Sequence, residues 1–150
     1  MRKLSVLILS LTLFACGNSA DVPDQPSASP AEIADNQYIQ AAEGLTYHDI
    51  KKGTGLEATK GKHAIVHYTG WLTTGKIFDS SIIKNKPFSV NPLGGGQVIK
   101  GWDEGIVGMR VGGHRQLVIP PNLAYGPDGY PGAIPPNATL IFEVYLLEIK

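Results

Sequence analysis

The sequence predicts an α+β domain: an antiparallel sheet packed on a single short helix. Stretches that alternate apolar and polar side chains, the period of a half-buried strand, lie both before and after one segment of helical period. No βαβ alternation links them, so a parallel sheet is not expected. Gly 18 and Pro 11 in 150 residues supply the many turns that such a sheet requires.

The helical segment is Val98 to Met109, VIKGWDEGIVGM. Trp102, Ile106 and Met109 recur at i, i+4 and i+7, which is one face of a helix of two or three turns. So short a helix is unstable alone, and its apolar stripe must be buried against the flanking strands. Asp103 and Glu104 fall in its first turn, where carboxylates complement unpaired N–H groups and the positive end of the dipole. An indole at this position can floor a cavity bordered by the backbone N–H groups of Val98 to Gly101, so the segment reads as the core of a binding site.

The strands follow in chain order. Leu45 to Ile50 alternates, and Lys52-Gly53-Thr54-Gly55 closes it with turn residues. His63 to Leu72 is the clearest strand, with Ala64, Val66, Tyr68 and Leu72 on one face. Thr73-Thr74-Gly75 reads as a hairpin turn into Lys76 to Ser80. Pro87 to Asn91 is expected near an edge, because proline has no N–H to donate. His114 to Ile119 returns after the helix, and Thr139 to Lys150 closes the domain with Leu140, Phe142, Val144 and Leu146 on one face. Residues 44–150 thus form one domain with one core.

Two segments precede it. In residues 1–16 a basic head, Arg2 and Lys3, leads an apolar run too short to span a bilayer, as in a signal peptide. Its end, Leu13-Phe14-Ala15-Cys16, resembles the lipobox of bacterial lipoproteins, which implies a lipid attached at Cys16. The alternative is an ordinary secretory signal with an incidental cysteine. Cys16 is the only cysteine, so it makes no intramolecular disulfide, and lipid attachment gives it a role. By resemblance to sorting rules, Gly17 implies the outer membrane, with the domain facing the periplasm. Residues 17–43 are rich in Pro, Ser, Ala and Asp and poor in large apolar groups, the composition of an extended, mobile tether.

Charge excludes some classes of function. Lys+Arg 13 balance Asp+Glu 13, with no basic stripe for nucleic acid. His63 and His67 share a strand face but stand roughly 13 Å apart at about 3.3 Å per residue, too far to bind one metal ion. Gly94-Gly95-Gly96 lacks both the Walker and the G-x-G-x-x-G pattern and reads as a flexible turn. Ser80 and Ser81 lack the G-x-S-x-G elbow of a serine hydrolase. Pro120-Pro121 and Pro135-Pro136 bracket a long loop, 122–133, expected to overhang the site as a flap.

The motifs HYTGWL, GKIFDSS, NKPF, VIKGWDEGIVGM and LAYGPDGYPGAIPPNATLIFEVYLLEI, in that order, resemble the FK506-binding protein family of peptidyl-prolyl isomerases over essentially all of residues 44–150. The resemblance implies an antiparallel sheet of five or six strands wrapped around one short helix. Inward aromatic residues by themselves read as core; the resemblance makes a pocket of them. Residue by residue it implies catalytic roles for Tyr68, Phe78, Asp79, Trp102, Tyr125 and Phe142. Substrate contacts are implied for Phe88, Val98, Ile99, Tyr130, Ala133 and Ile134. The Ile99 N–H and the Tyr125 hydroxyl are expected to donate to substrate carbonyls, and Asp79 to face the carbonyl carbon or order Tyr68. No cofactor or metal is implied. The implied partners are proline-containing unfolded or exported polypeptides, FK506-like macrolides, and a membrane reached through the lipid. Tyr130 replaces a histidine and Ala133 a large aliphatic residue common in the family, and Asn91-Pro92 alters a loop, so the rim differs where specificity is set. The alternatives are a chaperone-like peptide-binding module with weak catalysis and a scaffold that binds a dedicated partner through the tether.

Overall fold

The computed structural model describes residues 21–150; the signal peptide and Cys16 lie outside them. Seven strands form one antiparallel sheet: β1 (Ile39–Gln40), β2 (Thr46–Lys51), β3 (Ala64–Leu72), β4 (Ile77–Ser80), β5 (Phe88–Val90), β6 (His114–Ile119) and β7 (Leu140–Ile149). The spatial order is β1-β2-β6-β7-β3-β4, and β5 pairs with β3. All six strands read from the sequence are present. The short β1, which the alternation pattern misses, adds to the edge of β2 through Ile39 opposite Tyr47 and Gln40 opposite Thr46.

The two longest strands, β3 and β7, lie side by side at the centre, with Gly70 opposite Phe142 and Tyr68 opposite Val144. Their inward positions Ala64, Val66, Tyr68, Leu140, Phe142, Val144 and Leu146 are all buried, as the two-residue period requires. The other edge of β3 is shared. β4 covers Thr69 to Trp71 and β5 covers Ala64 to Val66, leaving the Tyr68 N–H between them. Ser81 fills the gap: its hydroxyl accepts that N–H at 2.8 Å. The hairpin at 73–75 closes as the turn residues predict, with the Gly75 N–H donating to the Leu72 carbonyl at 2.9 Å.

Helix α1 (Lys100–Gly105) has six residues, shorter than the two or three turns expected. Trp102, Ile106 and Met109 are all buried against the sheet, but only Trp102 lies within the helix. Gly108 turns the chain at φ 86°, so Met109 enters the core from the following turn. Arg115, 4% exposed on the inner face of β6, fixes the other end of α1. Its guanidinium donates to the Gly105 and Val107 carbonyls, pairs with both Asp49 oxygens at 2.6 and 3.1 Å, and lies 4.1 Å over the Tyr47 ring. A buried cation thus satisfies the carbonyls that the helix leaves open.

From Asp21 onward, the segment read as a mobile tether crosses the outer face of the sheet as a strap, interrupted by 3-10 turns at Asp35–Gln37 and Ala42–Gly44. The Ala31 N–H donates to Glu143 at 2.6 Å, Gln116 donates to the Ala31 carbonyl at 2.9 Å, and the Tyr38 hydroxyl bonds Gln116. Asp21 pairs with Lys51 at 2.6 Å, and Val22 packs on Ile82 and Tyr145. Composition measures how little the strap can bury. It does not register that the outer face of β6 and β7 carries polar groups, among them the nearly buried Gln116 and Glu143, whose unused donors and acceptors a passing backbone can satisfy.

Candidate functional site

Aromatic rings from four strands and the helix meet where the first turn of α1 faces β3 and β7. The Trp102 ring lies edge to face with Tyr68 (4.8 Å), Phe142 (5.3 Å) and Phe88 (5.8 Å), and Phe78 stands edge on to Phe142 at 5.4 Å. Such geometry sets the negative face of one ring against the positive rim of the next. Gly70 makes it possible: a Cβ there would come within 2.6 Å of Phe78 and 2.7 Å of Phe142. The rings enclose a cavity of about 270 Å³ lined by Tyr68, Phe78, Asp79, Phe88, Gln97, Val98, Ile99, Trp102, Tyr125 and Phe142.

The structure therefore gathers nine of the twelve expected pocket residues around one cavity. Tyr130, Ala133 and Ile134 are placed elsewhere. Ala133 and Ile134 border a separate shallow depression in the flap, where Tyr130 and Ile134 pair backbone to backbone. Tyr130 is 58% exposed and reaches the cavity only through its ring contact with Tyr125 at 5.8 Å. The flap turns on itself through these hydrogen bonds, so Tyr130 stands beside the mouth, while Ile134 is buried in the core that also holds Tyr68, Trp102 and Phe142, with Ala133 packed against it.

The floor and rim are held by polar contacts, of which the sequence reading anticipated only that of Asp79 with Tyr68. Asp103 was expected to complement the helix dipole. Its two oxygens instead accept the Gly94 and Gly96 N–H groups, both at 2.8 Å, tying the glycine loop to α1. That loop, read as flexible, is thereby fixed, and with it Gln97 to Ile99 at the cavity mouth. Gln97 lines the cavity and was not anticipated, although it directly precedes the expected Val98. Asp79 accepts the Tyr68 hydroxyl at 2.6 Å and the Lys84 ammonium at 2.5 Å. Burial pushes the Asp79 carboxyl up, and the hydrogen bonds from Lys84 and Tyr68 outweigh it, leaving the group below the ordinary aspartate value. The Tyr68 hydroxyl is pushed well up, first by burial and then by its bond to Asp79. Tyr125 is raised by burial and then by the Asp79 charge.

Two donors border this apolar space without an acceptor among the described residues, the Ile99 backbone N–H and the Tyr125 hydroxyl. The Trp102 indole N–H is also buried without a partner. Among the described residues there is no cluster of three metal-binding side chains. A serine and a histidine do meet, Ser81 with His67 at 2.8 Å, but Ser81 is 2% exposed and already bonded to the Tyr68 backbone. That contact belongs to the sheet edge.

An antiparallel sheet packed on one short helix, with an aromatic cavity and spare hydrogen-bond donors at its mouth, defines an α+β domain built around one aromatic cavity. The sequence profile of the FKBP-type peptidyl-prolyl cis-trans isomerases matches residues 55–147, and the chain belongs to that family. It is 56% identical over 106 residues to an FK506-binding protein of Neisseria meningitidis serogroup B, covering 71% of this chain and 96% of that one. It is 50% identical over 108 residues to FK506-binding protein 1 of Rhizopus delemar, covering 71% and 99%. Among solved structures, FkpA from Escherichia coli superposes with a TM-score of 0.71 at 41% identity over 77% of this chain, and the match spans 53% of FkpA. AtFKBP13 superposes with a TM-score of 0.70 at 40% identity, covering 75% of this chain and 98% of that one.

Proposed function

We propose that the chain accelerates cis-trans exchange of X-Pro bonds in exported polypeptides, from a lipid anchor at Cys16 on the outer membrane, with its domain in the periplasm. The observation that carries the catalytic reading is the aromatic cavity of about 270 Å³ over Trp102, with the two unpartnered donors at its mouth. Support for the envelope location is the leader and the lipobox-like Leu13 to Cys16.

Resonance holds an amide planar behind a barrier of about 18–20 kcal/mol, and X-Pro bonds exchange over tens to hundreds of seconds unaided. At the twisted transition state the amide is less dipolar, so moving it out of water costs less than moving the planar ground state. In this reading Trp102, Tyr68 and Phe142 hold the proline ring and exclude water. The Ile99 N–H and the Tyr125 hydroxyl fix the flanking carbonyls. Asp79, anchored by Lys84, orders the Tyr68 hydroxyl. Lowering the barrier by about 6 kcal/mol would accelerate exchange about 10⁴-fold. No nucleophile or cofactor takes part.

The test is the cis-to-trans rate of a proline tetrapeptide with residues 17–150, with and without FK506. Catalysis abolished by FK506 supports both the activity and the pocket. Catalysis that persists under the drug keeps the enzyme and assigns the difference to Tyr130 and Ala133. A folded domain without catalysis replaces the reading with a peptide-binding module.

A further inference from the structure

The charges of the domain are segregated, and the strap begins at their basic end. The loop 51–62 and the turn 108–113 form one surface. They are joined by hydrogen bonds from Gly55 to Val111, Ala58 to Met109 and Gly108 to Ala58, and by the pairing of Glu57 with Arg110. Together these segments hold five cations, Lys51, Lys52, Lys60, Lys62 and Arg110, against the single carboxylate of Glu57. The other described residues hold six cations and twelve carboxylates. Between the two segments lies a recess of about 450 Å³ bordered by Lys51, Lys52, Arg110 and Arg115, with one carboxylate, Asp49, which Arg115 holds. Ile50 and Leu56, 37% and 67% exposed, stand among these cations. The recess lies beyond the C-terminal end of α1, whereas the aromatic cavity sits at its N-terminal end.

The strap meets this surface first, through the Asp21–Lys51 ion pair. Cys16 is five residues upstream of Asp21, a reach of at most about 18 Å even when fully extended. A domain of this size is about 35 Å across, twice that reach. We infer that the surface built from 51–62 and 108–113 docks on anionic lipid headgroups, so that the aromatic cavity is held facing away from the bilayer. The inference rests on the lipid anchor proposed above for its geometry and on the charge segregation for its chemistry. Phosphate groups meet Lys52 at the recess and Lys60 and Lys62 further along the same surface, beside Leu93 and Gly94; none of the three has a carboxylate partner among the described residues. Leu56 and Ile50 fit the boundary between headgroups and acyl chains. The docked strap thus replaces a long, free tether with a short one.

Two measurements test this separately from the lipid reading. In the first, residues 17–150, which carry no acyl group, are sedimented with vesicles of phosphatidylglycerol and phosphatidylethanolamine or with neutral phosphatidylcholine vesicles. Binding to the anionic vesicles alone is expected, weakened about tenfold or more by high salt and by the triple variant K52E/K60E/K62E, whose isomerase rate on a soluble peptide stays unchanged. Equal binding to both vesicles, or none to either, overturns headgroup recognition. In the second, the full chain recovered from membranes is checked by mass for an acyl group and placed in nanodiscs of the anionic composition. Amide exchange is expected to slow about fivefold or more across 51–62 and 108–113 and to stay unchanged in the flap 122–133. Protection of the flap instead overturns the orientation. A chain without acyl mass overturns the anchor and with it the orientation, while the sedimentation result stands by itself.

Discussion

Removing the Tyr68 hydroxyl tests whether Asp79 acts by ordering that ring. Tyr68→Phe keeps the aromatic wall and deletes one hydrogen bond, 2.6 Å long, to a carboxylate. A bond to a charged acceptor contributes about 1.5–3 kcal/mol. The Asp79 side chain is 35% open to solvent, so the lower end applies, about 1.5 kcal/mol after screening. If the hydroxyl positions the ring for the transition state, kcat/KM should fall about tenfold, and unfolding in urea should show a loss of about 1.5 kcal/mol. Lys84 makes the second bond to Asp79, but its side chain is 61% exposed, so Lys84→Met should cost less than about 0.5 kcal/mol and change kcat/KM about twofold. The double variant frees Asp79 from both anchors and should lose more than the two single losses combined. Asp79 lies below its ordinary value of 3.8 when folded. Its contribution is therefore complete above that value and is lost only as pH falls through the lower folded one, so the ratio of wild-type to Tyr68→Phe rates should be flat from pH 5 to pH 8. Exchange of a proline tetrapeptide followed by NMR line shape gives these rates without a coupling protease. A Tyr68→Phe protein with wild-type kcat/KM, beside a Lys84→Met protein that had lost tenfold, would refute the reasoning, because the ammonium and not the hydroxyl would then be what Asp79 serves.

Three further outcomes follow from the packing. Arg115→Ala leaves Asp49 unpaired and the Gly105 and Val107 carbonyls open, and should cost about 3–5 kcal/mol in urea unfolding, whereas a loss under about 1 kcal/mol would mean that the pair is not buried in solution. Asp103→Ala releases the Gly94 and Gly96 N–H groups, so their amide exchange should accelerate and KM for the peptide should rise several-fold with a smaller change in kcat; unchanged exchange at both glycines would contradict the tie. Burial pushes the Glu143 carboxyl up, but His114, the Ala31 N–H and Gln116 together bring it below the ordinary value of 4.5. A depressed carboxyl stabilises above its unfolded value and loses that contribution as pH falls through the folded one, so the strap should loosen below about pH 4.5, seen as faster exchange of the Ala31 amide. Loosening that is already complete well above pH 4.5 would mean that the Glu143 carboxylate is not what holds the strap.

Local pattern accounts for much of the fold and for most of the cavity wall. Six strands, the edge position of Phe88–Val90 and the hairpin at 73–75 were legible because alternation and turn residues act over a few neighbours. The aromatic residues of the YTG, FDSS and GWDEG stretches were legible as a pocket only through family resemblance, since an inward ring obeys the same pattern in a core. What the pattern misjudged has an equally local cause. Met109 keeps the helical spacing after the helix has ended, because burial at i+7 needs only a turn that returns the chain to the core. The strap was read from composition, which sees few apolar groups and takes no account of polar partners on a distant strand.

The sequence by itself determined which residues face inward, where the chain turns and which side chains could line a cavity, since each of these depends on neighbours a few positions away. Tertiary structure alone decided that Asp103 ties down the glycine loop, that Asp79 is shared by Tyr68 and Lys84, that Tyr130, Ala133 and Ile134 stand outside the cavity, and that Ala31 is held by Glu143. Each of these is a short-range polar or packing contact whose partners become neighbours only once the sheet register and the loop paths are set. Ala31 and Glu143 are 112 positions apart in the chain, and no periodicity reaches that far.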